Sequence, residues 1–180
     1  MADLNLPNFL AVVNYPHLGE HDQKFIDFYR KANDVYYDLI PAHFSFVFPV
    51  FDMEKKEFMA EVRKQATGFP TIEYKLRCAI RNNDRTSDYW HVLLVPDQGF
   101  SEIVKLHSKL YSGLFKPYER LDLDFIPHMG IANSKDPKEC KRMVDEVNAM
   151  EIDIRGTIEQ LDIVEHVDGV ISSVDAVRLS

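Results

Sequence analysis

Cysteine is scarce: Cys78 and Cys140 are the only two in 180 residues. Two thiols so far apart exclude a disulfide framework and a cysteine-based zinc site, and both are expected to be inert. No apolar run approaches the roughly 18 residues that a membrane-spanning helix needs. The opening MADLNLPNFL carries an acid where a secretory signal needs Lys or Arg, so no membrane partner and a cytoplasmic location are expected. Basic charge is also in deficit, 21 Lys and Arg against 29 Asp and Glu for a net −8. That balance excludes long duplex nucleic acid held by its phosphates, while a small phosphorylated ligand needs only a local basic or polar cluster. No phosphate-cradling GxxxxGK[ST] loop, GxGxxG turn or GxSxG elbow occurs, so the usual anchors of triphosphate, dinucleotide and serine-hydrolase chemistry are missing.

What remains is ordinary globular material, 46% hydrophobic and 28% charged. A chain of this length buries about 70% of its unfolded surface, enough for a real core. FLAVVN (9 to 14) is a short apolar run closed by Tyr15-Pro16 and predicts a strand. Phe25, Phe28, Tyr29, Ala32, Val35, Tyr36 and Leu39 recur every three or four positions and predict one helix over 21 to 40, ended by Pro41. AHFSFVFP (42 to 49) reads as a buried strand, and a helix follows over about 54 to 66. TIEYKLRCAI (71 to 80) and DYWHVLLV (88 to 95) suit an antiparallel pair. A further helix, over about 101 to 115, begins near Ser101 as N-cap, with Ile103, His107, Leu110 and Leu114 on one stripe.

After KPYERLDLD the outline repeats: strand FIPHMGIA, helix PKECKRMVDEVNAM, and strands DIRGTIEQLDIVEHV and GVISSVDAVRL. Strand, helix, strand, strand occurs twice, in units over roughly 41–98 and 126–180. The strand at 9–14 and the helices at 21–40 and 101–115 complete the lobes of a single domain over 1–180. The expected fold class is α+β: two pseudo-symmetric lobes, two antiparallel sheets facing a central cleft, helices outside.

Side chains alternate across a strand, so His43 and Ser45 share one face while Phe44, Phe46 and Phe48 take the other and fill the core. The same alternation puts His128 and Gly130 on one face of the matching strand. Each unit thus presents one histidine from an equivalent position. Two imidazoles across a cleft suit phosphodiester chemistry, because a free pKa near 6.5 lets one ring accept a proton while the other donates one. Hydroxyl donors beside them would stabilise charge on the non-bridging oxygens, and the scheme needs no metal or other cofactor.

The pair HFSF (43 to 46) and HMGI (128 to 131), each opening a strand after a proline in this order of elements, resembles the two-histidine (2H) phosphoesterase superfamily. More narrowly it is similar to the branch of bacterial 2′-5′ RNA ligases and cyclic phosphodiesterases, from FLAVVN to VDAVRL. Further support comes from HFSFVFP, the WHVLLVPDQGFSEIVKLHSKL block and FIPHMGIA. The resemblance implies a two-lobed fold, His43 and His128 as the acid/base pair, and Ser45 as a phosphate-binding hydroxyl. It implies no cofactor, and as partner a nucleotide cyclic phosphate or an RNA terminus. A monomer is expected. Gly130 departs from the pattern, which has Thr or Ser there. Losing one such donor costs about 100- to 1,000-fold in rate when nothing replaces it, although glycine lets a phosphate approach the backbone closely. The alternative is a 2H-fold nucleotide- or phosphate-binding protein without turnover.

Other polar residues have blander readings beside the sharp ones. Lys75, Arg77 and Arg81 share a strand face, as the basic wall of a substrate groove or as a solvated sheet surface. His91 is either a third polar group reaching the cleft or a packed core histidine, with the core favoured. Tyr118 and Arg120 sit in the loop before the second motif and could reach a base or phosphate. His17 and His21 are poorly placed as a metal pair, because Pro16 and Gly19 oppose a regular helix there. Asp122 and Asp124 are expected on an exposed edge rather than as paired carboxylates.

Overall fold

The computed structural model describes residues 7–83 and 87–180. Eight strands and four α-helices follow in the order β1 (Phe9–Asn14), α1 (Glu20–Asn33), β2 (Phe44–Val50), α2 (Lys55–Ala66), β3 (Ile72–Asn83), β4 (Trp90–Gln98), α3 (Phe100–Leu110), β5 (Met129–Ser134), α4 (Pro137–Ala149), β6 (Ile154–Ile158), β7 (Gln160–Val167) and β8 (Val170–Arg178). They form two four-stranded sheets, β2-β1-β7-β8 and β5-β4-β3-β6, in which every neighbouring pair is antiparallel. The α+β class and the two-sheet, two-lobed arrangement are as the sequence implies.

The apolar run of β1 has its cause in its place. As an inner strand it is buried throughout, with Leu10 and Val12 in the main core and Phe9, Ala11 and Val13 in a smaller cluster on the other face. The main core joins both sheets: Phe44 of β2 meets Tyr74 of β3 edge to face at 5.0 Å. Helix α2 packs on the first sheet, α1 and α4 cover the second, and α3 touches both. No helix of the described residues is long and apolar enough to cross a membrane.

The two sequence units exchange strands. β2 lies in the first sheet but the hairpin β3–β4 that follows it joins the second; β5 lies in the second, and β7–β8 return to the first. DIRGTIEQLDIVEHV is consequently two strands, β6 on β3 and β7 on β1, with Glu159 between them. A chain that stays extended while changing partners leaves no composition signal at the change.

Other boundaries also differ from the sequence pattern. α1 stops at Asn33, because side chains take the next backbone donors: Asn133 Oδ1 accepts from Val35 N at 3.2 Å and Asp34 Oδ1 from Tyr36 N at 3.0 Å. The expected stripe accordingly fails at Phe28, 77% exposed, and at Val35, while Ile26, Tyr29 and Arg30 form the buried face. α3 starts at Phe100 with Gly99, at φ +82°, as its N-cap two residues ahead of Ser101, and ends at Leu110, which leaves Leu114 exposed. Both histidines lie just outside their strands, at the last residue before β2 and before β5.

β2 is an edge strand, which is why Pro49 is tolerated in it. Two register shifts against β1 interrupt its alternation. Phe44 and Phe46 remain fully buried, whereas Phe48 is half-buried and turns to the space between the lobes, not into the core. Helix α3 and the residue that caps its C-terminus, Tyr111, satisfy the disturbed backbone. His107 Nδ1 donates to Phe46 O at 3.0 Å, and the Tyr111 hydroxyl accepts from Phe48 N at 2.9 Å. The His107 ring stacks on Phe125 with centroids 3.6 Å apart.

Two tests follow from this packing. A Cβ at Gly99 would stand 2.4 Å from Glu73 O, whereas one at Gly169, also at positive φ, meets nothing within 4 Å. Gly169→Ala is expected to cost about 1–2 kcal/mol for the left-handed backbone alone, and Gly99→Ala clearly more, both read from urea denaturation midpoints. Burial lowers the His107 pKa from 6.5 to about 4. The unfolded chain therefore binds more protons than the folded one between those values. The stability present above pH 6.5 is lost as the pH falls towards 4. The wild-type midpoint should fall through that window more steeply than that of His107→Gln; equal slopes would refute a buried neutral His107.

Candidate active site

β2 and β5 are the edge strands of their respective sheets, and the residue that leads into each is a histidine. Each ring is fixed in the same way. His43 Nδ1 meets Pro41 O at 2.8 Å, and His128 Nδ1 meets Ile126 O at 2.6 Å. A carbonyl only accepts, so in each ring Nδ1 carries the proton and Nε2 keeps the lone pair. In each copy the accepting carbonyl belongs to the residue two before the histidine, Pro41 itself in the first and the residue ahead of Pro127 in the second.

Both rings line one cavity of about 510 Å³ between the lobes. Burial lowers the His43 pKa to about 4; the Pro41 hydrogen bond opposes this and charge on His128 reinforces it. Burial likewise lowers His128, opposed by its bond to Ile126 and reinforced by His91. Without a ligand both imidazoles are neutral at neutral pH. Gly130 lines the cavity as well, and a Cβ built on it meets nothing within 4 Å, so the space beside it is open.

His91 is on the cavity wall, not in the core. It is half-buried, lies parallel to the Tyr36 ring with centroids 6.3 Å apart, and faces the same space as Leu93 and Gly130. It sits near the start of β4, where the sheet face lines the cavity. Ser45 is half-buried beside Val13 on β1 and is not among the residues lining the cavity.

The other basic and aromatic candidates lie elsewhere. Arg77 is exposed and paired with Asp97 at 2.7 Å, because a register shift at this point of β3 breaks the shared face expected for Lys75, Arg77 and Arg81. Arg81 lies over the Trp90 ring at 4.5 Å. Tyr118 is hydrogen-bonded to Asp52, which raises its pKa. Arg120 pairs with Asp122 at 2.6 Å, while Asp124 lines the cavity, so the two aspartates are not a carboxylate pair. Among the described residues no group of three or more His, Cys, Asp or Glu side chains could hold a metal ion.

The sequence pattern missed a buried polar cluster behind the histidines. Arg30 and Asp34 form an ion pair at 2.8 Å with side chains only 4% and 6% exposed. Arg30 also donates to Ile40 O at 2.8 Å, and Asp34 accepts from Asn133 Nδ2 at 2.6 Å. All three line the cavity. The spacing of Arg30 and Asp34, one helical turn apart, was the available signal, but on a helix that spacing ordinarily marks a solvated pair.

The model of the 2′-5′ RNA ligase superfamily matches residues 18–170. This chain therefore belongs to that superfamily, whose two-histidine fold it shows. A Geobacillus kaustophilus (strain HTA426) protein named "Putative phosphoesterase GK0864" is 27% identical over 142 residues, covering 77% of this chain and 78% of the relative. Among solved structures, TT0787 of Thermus thermophilus superposes with a TM-score of 0.62 at 13% identity, over 95% of this chain and 97% of that one. E. coli LigT complexed with 3′-AMP gives 0.59 at 14% identity, over 97% and 99%. Identities this low speak for the fold alone.

Removing the Asp34 carboxylate would leave a buried guanidinium with the Ile40 carbonyl and the Tyr37 ring beside it but without its counter-ion. Asp34→Ala is expected to destabilise the fold by about 3–5 kcal/mol, measured by urea denaturation at pH 7. A loss below about 1 kcal/mol, the range of exposed pairs, would contradict the burial described.

Proposed function

We propose that this protein is a monomeric, cytoplasmic, metal-independent phosphoesterase that hydrolyses, or in reverse forms, a cyclic phosphate or 2′,5′-phosphodiester in a nucleotide or RNA end. The observation that carries this reading is the matched pair His43 and His128: two rings of the same tautomer, each locked by a carbonyl, lining one cavity. LigT has been crystallised with 3′-AMP and Kluyveromyces marxianus Usb1 with uridine monophosphate, which favours a nucleotide for a chain of this fold.

In hydrolysis, Nε2 of one histidine takes a proton from water as the water oxygen bonds to phosphorus. The phosphorus–oxygen ester bond breaks, and the other histidine, protonated, gives its proton to the leaving oxygen. An anionic phosphate between the rings raises both pKa values and so supplies the protonated partner that burial alone disfavours. Ser45, one pleat beyond His43 but outside the residues that line the cavity, is proposed as a hydroxyl donor to a non-bridging oxygen. The roles of the two histidines exchange when the reaction runs backwards, which regenerates the base as an acid.

Gly130 favours a second reading, a nucleotide-binding protein without turnover. Assays in EDTA with 2′,3′-cyclic nucleotides, an ADP-ribose cyclic phosphate and a 2′,5′-linked dinucleotide separate the two. Turnover should fall at least about 100-fold in His43→Ala and again in His128→Ala. Full activity in either variant would overturn two-histidine catalysis. Nucleotide binding that depends on His43 without any turnover would establish the second reading.

A further inference from the structure

We propose that His91 supplies the phosphate-contacting donor that position 130 lacks, so that the second lobe presents its donor from the neighbouring strand instead of from its own motif. The inference rests on the phosphate site described above and adds a residue to it.

Three observations place His91 there. On β4, Leu93 stands opposite Gly130, and His91, two residues away across a register shift, stands opposite Asn133; both line the cavity. Leu93 has no hydrogen-bonding group, so His91 is the next cavity-lining side chain of β4 that can reach the space Gly130 leaves open. His91 is also near enough to His128 for charge on one to disfavour charge on the other. Finally, Tyr36 lies parallel to the His91 ring, 7° between planes with centroids 6.3 Å apart. An imidazole N–H directed at a non-bridging oxygen does the work of a threonine hydroxyl: it donates one hydrogen bond to developing negative charge.

The test is calorimetric titration with adenosine 3′-monophosphate and with adenosine, on the wild type, His91→Ala, Gly130→Thr and the double variant. Position 130 has room for a side chain and lacks a positive φ, so Gly130→Thr is expected to fold. His91→Ala should weaken the monophosphate about tenfold or more and leave adenosine unchanged. Gly130→Thr should restore most of that loss in the His91→Ala background. Equal weakening of both ligands would assign His91 to the base and overturn the inference, as would no weakening at all or a failure of threonine to compensate. His43→Ala and His128→Ala distinguish this from failure of the site itself. If they abolish the phosphate-dependent affinity while His91→Ala does not, the site stands and the His91 role falls. If the wild type shows no phosphate-dependent affinity, the two-histidine reading fails and His91 with it.

Discussion

The buried pair between Arg30 and Asp34 is the interaction on which the geometry of the cleft depends. A guanidinium taken out of water must be matched by an anion and by acceptors for its remaining N–H groups. Asp34 and the Ile40 carbonyl meet that requirement. The carboxylate does more than neutralise charge. Its Oδ1 binds Tyr36 N and Asn133 Nδ2, and Asn133 returns a bond to Val35 N, so helix α1 ends and its exit loop is fastened to β5. That loop leads directly into Pro41 and His43, while β5 begins with the residue after His128. One buried network thus holds the approaches to both histidines.

The exchange of strands between sequence units has a related effect. Each sheet contains an edge strand from one unit and a hairpin from the other, so neither lobe is complete without both. The apolar core runs continuously through the two, with Phe44 against Tyr74 at its centre. Two imidazoles that line one cavity are held in place by this arrangement, and preorganised groups need no rearrangement when a ligand arrives. The cavity is correspondingly polar at the histidines and apolar towards Leu123, Phe125 and Ile126. His107 supports that side from beneath through its stacking on Phe125.

Much of this was legible along the chain because it is local. Strand alternation separated His43 and Ser45 from Phe44 and Phe46, apolar spacing located the helices, and the recurrence of proline before histidine marked two equivalent positions. The tautomer-fixing hydrogen bond is local too, spanning two residues in each copy. Local rules failed where a distant side chain intervened. α1 is shorter than its apolar pattern because Asn133, about a hundred residues away, takes a helix donor. Phe48 leaves the core because β2 bulges against β1 and Tyr111, the C-cap of α3, satisfies its backbone.

By itself, the sequence determined the α+β class, the two-histidine pattern and the missing hydroxyl at Gly130, since each depends on residue type and on the period of two or 3.6 residues. Only the tertiary structure decided which residues surround those histidines. It brought His91 to the cavity and Arg30, Asp34 and Asn133 behind it, and it left Arg77 and Tyr118 with partners elsewhere. The reason is physical: a charged side chain reads the same in sequence whether water or a buried partner satisfies it. That choice is made by the packing of elements far apart in the chain.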